Sequence, residues 1–221
     1  MTTNQGKEPI RIEPIRPEHV GQAADALARA YHGDSATDYL LDLSTPEKRE
    51  RFAHVIYVGL EALRQQGETI LVALKDEEPA GLALVSALEP QAQASLWAQL
   101  RWMLPHLPLL LTLLGQIAWR RLPAKLRLTR TPRHITQGYL AVMMLAVAPE
   151  HQGQGIGTRL MQTVADLARQ DPQAEGIYLF TEGDRNRRFY ERLGYRLLSR
   201  VEGEQGLVIH HMILPLDAWA A

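Results

Sequence analysis

The sequence predicts a single α/β domain, a mixed β-sheet flanked by helices. Three observations lead there. Apolar runs of strand length alternate with amphipathic helical stripes along the chain, two pairs of those runs are spaced as hairpins, and the longest apolar strand is followed by a glycine-rich turn and a helix.

In order, Ile10 to Ile15 alternates with period two and reads as a strand, and Val20, Ala24, Leu27 and Tyr31 form a helical stripe. Ser44-Thr-Pro-Glu47 has the Ser-x-x-Glu spacing and early proline of a helix start, continued by Phe52, Val55, Ile56, Leu60 and Leu63 up to Gly67. Thr69 to Leu74 and Ala80 to Val85, separated by Lys-Asp-Glu-Glu-Pro, read as a buried hairpin with a charged tip. Leu96, Trp97, Leu100, Met103 and Leu104, then Pro105-His-Leu-Pro108, suggest two short helices with a proline joint. Tyr139 to Val147 is a continuous apolar strand, and Ile156, Leu160, Val164 and Leu167 line one helix face ending before Asp171-Pro172. Gly176 to Phe180 is a further strand, Asn186 to Leu193 a short helix closed by Gly194, and Tyr195 to Val201 with Leu207 to Leu214 a final hairpin.

Composition bounds the function. The 221 residues carry 24 Lys plus Arg against 25 Asp plus Glu, are 46 % hydrophobic and include no cysteine. Such a chain is a soluble globular protein without disulfide, thiolate metal site or cysteine nucleophile, and its balanced charge gives no reason to expect nucleic acid. The start lacks the apolar core of a signal peptide, so the cytoplasm is the expected compartment. Charge is nevertheless uneven. Pro90 to Pro149 holds no acid and seven cations, leaving 17 basic against 25 acidic residues, a balance of −8, elsewhere. Within it the 18 residues Trp102 to Trp119 are uncharged, but Pro105, Pro108, His106, Thr112 and Gln116 argue against a membrane span, and membrane contact is not expected. An apolar packing helix or lid, and an interfacial helix flanked by Arg120, Arg121, Lys125 and Arg127, both fit the pattern.

The chemistry-bearing motif is Gln152-Gly-Gln-Gly-Ile-Gly157, between strand and helix. There, backbone N–H groups and a helix N-terminus converge on one concavity, which suits a diphosphate, and glycine lets the phosphate reach the amides. A dinucleotide fold would want a third glycine where Thr158 stands, with more chain than the roughly 64 residues that follow. A P-loop would want Gly-Lys-Ser/Thr.

Two segments, Leu145-Ala-Val-Ala-Pro-Glu-His-Gln-Gly-Gln-Gly-Ile-Gly-Thr-Arg-Leu160 and Asn186-Arg-Arg-Phe-Tyr-Glu-Arg-Leu-Gly-Tyr195, resemble in order and spacing the two motifs of the GNAT superfamily of acyl-CoA-dependent N-acetyltransferases. The resemblance covers most of the chain outside about 90 to 136, so the expectation is a single domain, 1–221, with a GNAT-like splayed sheet and a helical insertion at 90–136. It implies that Gln152, Gly153, Gln154, Gly155, Ile156, Gly157 and Thr158 hold the diphosphate of acetyl-CoA, that the strand end Leu145, Ala146 and Val147 pairs with the pantetheine arm, and that Asn186 touches the cofactor. It also implies that Tyr190 sits near the sulfur and protonates the departing thiolate. The expected reaction is direct transfer of the acetyl group from acetyl-CoA to a primary amine of a small molecule or peptide, without metal; a non-catalytic acyl-CoA sensor and a membrane-surface protein anchored through 102–127 are the alternatives.

Bland roles stand beside these. Tyr190 would also serve as a core aromatic, and Asn186 as the N-cap of its helix. No acid lies in Tyr139 to Val147, so the general base is open among Glu182, Asp184, His134, His210, His211 and water. If the insertion folds over the acceptor side, Trp97, Trp102, Leu110 and Trp119 would form an apolar wall with an arginine rim; packing on the sheet or a homodimer contact would explain it equally.

Overall fold

The computed structural model describes residues 10–32, 35–87, 114–132, 135, 138–203 and 206–216. Among them run β1 (Arg11–Pro14), α1 (Val20–Tyr31), α2 (Ser35–Leu40), α3 (Pro46–Gln65), β2 (Thr69–Lys75), β3 (Glu78–Ala87), α4 (Leu122–Leu128), β4 (Tyr139–Val147), α5 (Ile156–Gln170), β5 (Gly176–Glu182), α6 (Gly183–Arg192), β6 (Arg196–Glu202) and β7 (Val208–Pro215). The short helices expected around the Pro105–Pro108 joint lie outside the described residues, as do Trp97, Trp102, Leu110 and His134.

The strands form one sheet in the order β1-β2-β3-β4-β5-β7-β6, antiparallel everywhere except β4 against β5. That single parallel pair needs a crossover, and α5 supplies it. α5 buries Ile156, Leu160, Met161 and Val164 on one sheet face, against Leu71, Ala83, Ile177, Leu179 and Met212. Each such side chain contributes about 1.5–3 kcal/mol on leaving water. The opposite face of β2 to β4 is covered by α1 and α3 through Val20, Leu27 and Leu60 against Val72, Leu82 and Leu84.

Local chemistry explains where elements begin. The cap of α3 is Thr45, one residue later than the Ser44 spacing suggested; Pro46 occupies the first helical position and Lys48 N–H donates to the Thr45 hydroxyl at 3.4 Å. The β2–β3 strands extend past their apolar runs to a two-residue turn, Asp76-Glu77, with both residues at positive φ. Likewise β5 continues through Thr181 and Glu182, two polar residues beyond the expected end at Phe180. α6 then begins at Gly183 rather than at Asn186, with Glu182 as its N-cap residue.

The functional feature of this sheet is a parting. β4 and β5 pair only from Tyr139 and Gly176 to Val142 and Leu179. Beyond that, β4 follows β3 and β5 follows β7, so the strands diverge as a V. The register of β4 on β3 shifts between Leu84 and Val85, leaving Met143 as the extra residue at the start of the opening. A bulge of this kind bends its strand, and Met143 is 54 % exposed at the bend.

Candidate active site

The mouth of the V opens into a cleft of about 1150 Å³. Its walls bring together Leu145, Ala146, Val147, Gln152, Gly153, Gly155, Ile156, Gly157, Thr158, Asn186 and Tyr190. Of the cofactor-binding and catalytic residues that the resemblance implied, Gln154 is the one absent from the lining. Its side chain braces the turn from outside, accepting from Lys75 Nζ at 3.1 Å and donating to the Glu150 carbonyl at 3.2 Å.

The strand edge is available for pairing. Ala148 N–H donates to Ala80 O on β3 at 2.9 Å. Backbone groups alternate sides along a strand, so those of Leu145 and Val147 point the other way, into the cleft. The Val147 carbonyl accepts from Gln152 Nε2 at 3.2 Å.

The glycine turn has the form a diphosphate requires. Gly153 and Gly155 stand at φ +74° and +81°, and a Cβ built on either would meet no protein atom within 4 Å. Gly155 is the N-cap residue of α5 and offers no capping side chain. The first intrahelical bond runs from Arg159 N–H to Gly155 O, so the amides of Ile156, Gly157 and Thr158 have no carbonyl one turn earlier to bind. Free amides, a positive helix end and open space above them fit the diphosphate of acetyl-CoA.

α6 forms the facing wall. Asn186 and Tyr190, one turn apart, both line the cleft. Asn186 lies inside the helix, which removes the N-cap role considered from sequence. The Tyr190 ring packs edge-on against Phe189 and Tyr195, with centroids 5.0 and 5.6 Å away. Burial raises its phenol well above the ordinary tyrosine value, so it stays protonated and is suited to give a proton, not to take one.

The base candidates separate. His211 is fixed on the α4 side of the sheet: Nε2–H donates to the Leu128 carbonyl at 2.9 Å, and Nδ1 accepts from Tyr178 Oη at 2.7 Å. Burial lowers its pKa, and both nitrogens are committed to structure. His210 points to the other face, its pKa lowered first by burial, with Nε2 3.8 Å from Asp184 Oδ1, too far for a hydrogen bond. Neither histidine lines the cleft. Asp184 is exposed and paired with Arg187. Glu182 does line the cleft, and its Oε1 accepts from Nζ of Lys125 on α4.

The part of the insertion that is described packs on the α2 segment and lines this cleft. Asp42 N–H donates to Gln116 O at 2.9 Å and Ala118 N–H to Leu40 O at 2.8 Å. Arg121 donates to Tyr39 O at 3.1 Å and lies over the Tyr39 ring. Ile117, Leu122 and Lys125 line the cleft, whereas Trp119 is half exposed and turns its indole N–H to Leu114 O. Of the apolar wall expected from sequence, Trp97, Trp102 and Leu110 lie outside the described residues, and Trp119 is not part of the lining.

Comparison with known proteins bears on the family and the fold. The profile of the Acetyltransferase (GNAT) family matches residues 34–195. N-alpha-acetyltransferase 30 of Schizosaccharomyces pombe is 44% identical over 67 residues, 29% of this chain and 43% of that protein, so the match spans less than half the relative's length. Among solved structures, the histone acetyltransferase HPA2 and related acetyltransferase of Corynebacterium glutamicum is similar at TM-score 0.65 and 20% identity, over 93% of this chain and 96% of the other. Arabidopsis thaliana NAA60 in complex with acetyl-CoA is similar at TM-score 0.53 and 16% identity, over 95% and 99%. At these identities the structural likeness establishes the fold, and the profile match covers most of the chain. On those grounds the chain belongs to the GNAT acetyltransferase family.

Proposed function

We propose that this protein transfers the acetyl group of acetyl-CoA directly to a primary amine, with the V between β4 and β5 as its active site. The observation that carries this is the meeting, in one cleft, of a bare glycine-turn helix start, a strand edge that no other strand pairs with, and a buried tyrosine phenol. The turn takes the diphosphate, and the edge at Leu145 and Val147 takes the pantetheine as an added strand. A main-chain N–H of that edge lies where the thioester oxygen gains charge, and Tyr190 protonates the leaving thiolate. Bringing amine and thioester together is itself worth effective molarities of up to about 10⁵ M or more.

The name of the Schizosaccharomyces pombe relative, an N-alpha-acetyltransferase, supports an α-amine as the acceptor. The described part of the insertion is the acceptor-side wall in this reading, since it lines the cleft through Ile117, Leu122 and Lys125 and reaches Glu182 at the end of β5. The test is thiol release from acetyl-CoA across amino acids, polyamines, aminoglycosides and peptides with free N-termini, alongside calorimetry of acetyl-CoA binding. Saturable release with one amine class supports the proposal. Binding without release from any amine would mark a sensor, and absence of binding would end the assignment of the cleft.

A further inference from the structure

We infer that Glu182 is the seat of the acceptor's ammonium, and that Lys125 on the insertion helix occupies this seat until an acceptor displaces it. The inference rests on the acetyltransferase function proposed for the cleft and adds a substrate class, a primary amine borne on an apolar group.

Glu182 is the last residue of β5, on the arm of the V opposite the β4 edge, and lines the same cleft as Tyr190 and Val142 to Val147. Its side chain is 9% exposed and that of Lys125 13%. A carboxylate this far from water requires a cation beside it. In the structure that cation is an alkyl ammonium on a flexible stem, chemically the same group as a protonated acceptor. Exchange of one ammonium for another leaves the carboxylate compensated, while the lysine released from the wall regains water and rotamer freedom. Lys125 belongs to a seven-residue helix held to the molecule largely by its flanks, through Arg121 to Tyr39 and through the Leu128 carbonyl to His211. Its side chain can therefore leave without dismantling the wall.

The surroundings set the rest of the acceptor. Phe180, two residues earlier on the same strand, and Leu122, on the helix that carries Lys125, line the cleft with Glu182, so an apolar group carrying the amine suits this seat. Seated at Glu182, the ammonium gives one proton to the carboxylate and its freed lone pair forms the C–N bond as the C–S bond breaks. The thiolate takes the phenol proton of Tyr190, which recovers one from the new amide nitrogen. The proton left on Glu182 passes to water, so the products are amide, thiol and one proton.

The probe is 2-phenylethylamine, an ammonium on an aromatic group, compared by calorimetry with the uncharged 2-phenylethanol. Glu182→Gln is expected to weaken amine binding by about tenfold or more. Lys125→Met is expected to strengthen it by about as much, because the lysine ammonium then no longer competes for the carboxylate. The alcohol should bind alike in all three proteins. Opposite effects from the two partners of one ion pair distinguish a seat from a strut. Weakening in both variants, or parallel behaviour of amine and alcohol, overturns the inference. If Lys125→Met does not fold, Lys125→Arg decides. Its bidentate guanidinium should hold the seat more firmly and weaken the amine, and equal or tighter binding refutes the proposal. Acetyl-CoA titrated into the same proteins reports the cofactor half separately: lost binding there, with the amine pattern intact, would remove the acetyltransferase reading and leave the seat.

Discussion

A side chain at Gly155 would meet nothing of the protein, yet its φ of +81° is one that most side chains resist. The two facts can be separated by experiment. Asparagine tolerates the left-handed region, so Gly155→Asn should change stability by no more than about 1 kcal/mol. Its amide would stand in the open space over the turn and should weaken acetyl-CoA by about tenfold or more if the diphosphate lies there. Urea denaturation and calorimetry on the same variant check both halves, and normal cofactor affinity would move the diphosphate elsewhere. At Tyr190 the separation is between ring and hydroxyl. Tyr190→Phe keeps the packing on Phe189 and Tyr195 and removes only the proton donor. Turnover should fall by about 10²-fold with cofactor affinity almost unchanged. Because burial raises this phenol, wild-type turnover should show no loss from its ionisation below about pH 10. Equal turnover in the phenylalanine variant would leave Tyr190 as a core aromatic.

The V between β4 and β5 is an element-scale property, open at one end because it is tightly closed at the other. At the closed end a Cβ on Gly176 would lie 2.7 Å from Tyr139 Cε1 and 2.8 Å from the Leu214 carbonyl oxygen. A backbone oxygen in the middle of the sheet has little freedom to retreat, so Gly176→Ala should cost about 1–3 kcal/mol. The expected result is a lower urea midpoint at unchanged m-value, and full stability would mean the strands part more easily than the packing implies. Much of this was readable beforehand. Alternation and apolar runs located all seven strands, and the glycine turn placed the start of α5, because both signals are local. The extension of β5 through Thr181 and Glu182 was hidden: polar residues followed by glycine imitate a loop, while the ladder to β7 continues regardless of side-chain polarity. Glu182 itself was among the base candidates read from sequence, but as a residue after the strand and not as its last position. The insertion of β7 between β5 and β6, and the bulge at Met143, depend on contacts between distant segments and leave no periodic trace.

For the molecule as a whole, three buried tyrosines, Tyr190 of the cleft among them, set the response to alkali. Tyr178, Tyr190 and Tyr195 are almost fully buried and lie on both faces of the sheet around the V. Burial disfavours each phenolate, raising Tyr178 to about 12 and the other two further. The unfolded chain has no such penalty and loses these protons near pH 10. A folded state that retains protons the unfolded state has released is destabilised as pH rises, so their contribution is complete below about pH 10 and declines above it. Each group costs about 1.4 kcal/mol per pH unit in that range, and the three together about 4. Against a typical total of about 5–15 kcal/mol, the protein should unfold cooperatively between about pH 11 and 12. Urea midpoints at pH 8, 10 and 11 test the slope, while absorbance at 295 nm follows phenolate formation. The buried phenols should ionise together with unfolding. Their ionisation near pH 10 in a protein that keeps its tertiary circular dichroism would show that water reaches them in the native state, and would remove the argument that Tyr190 is held protonated.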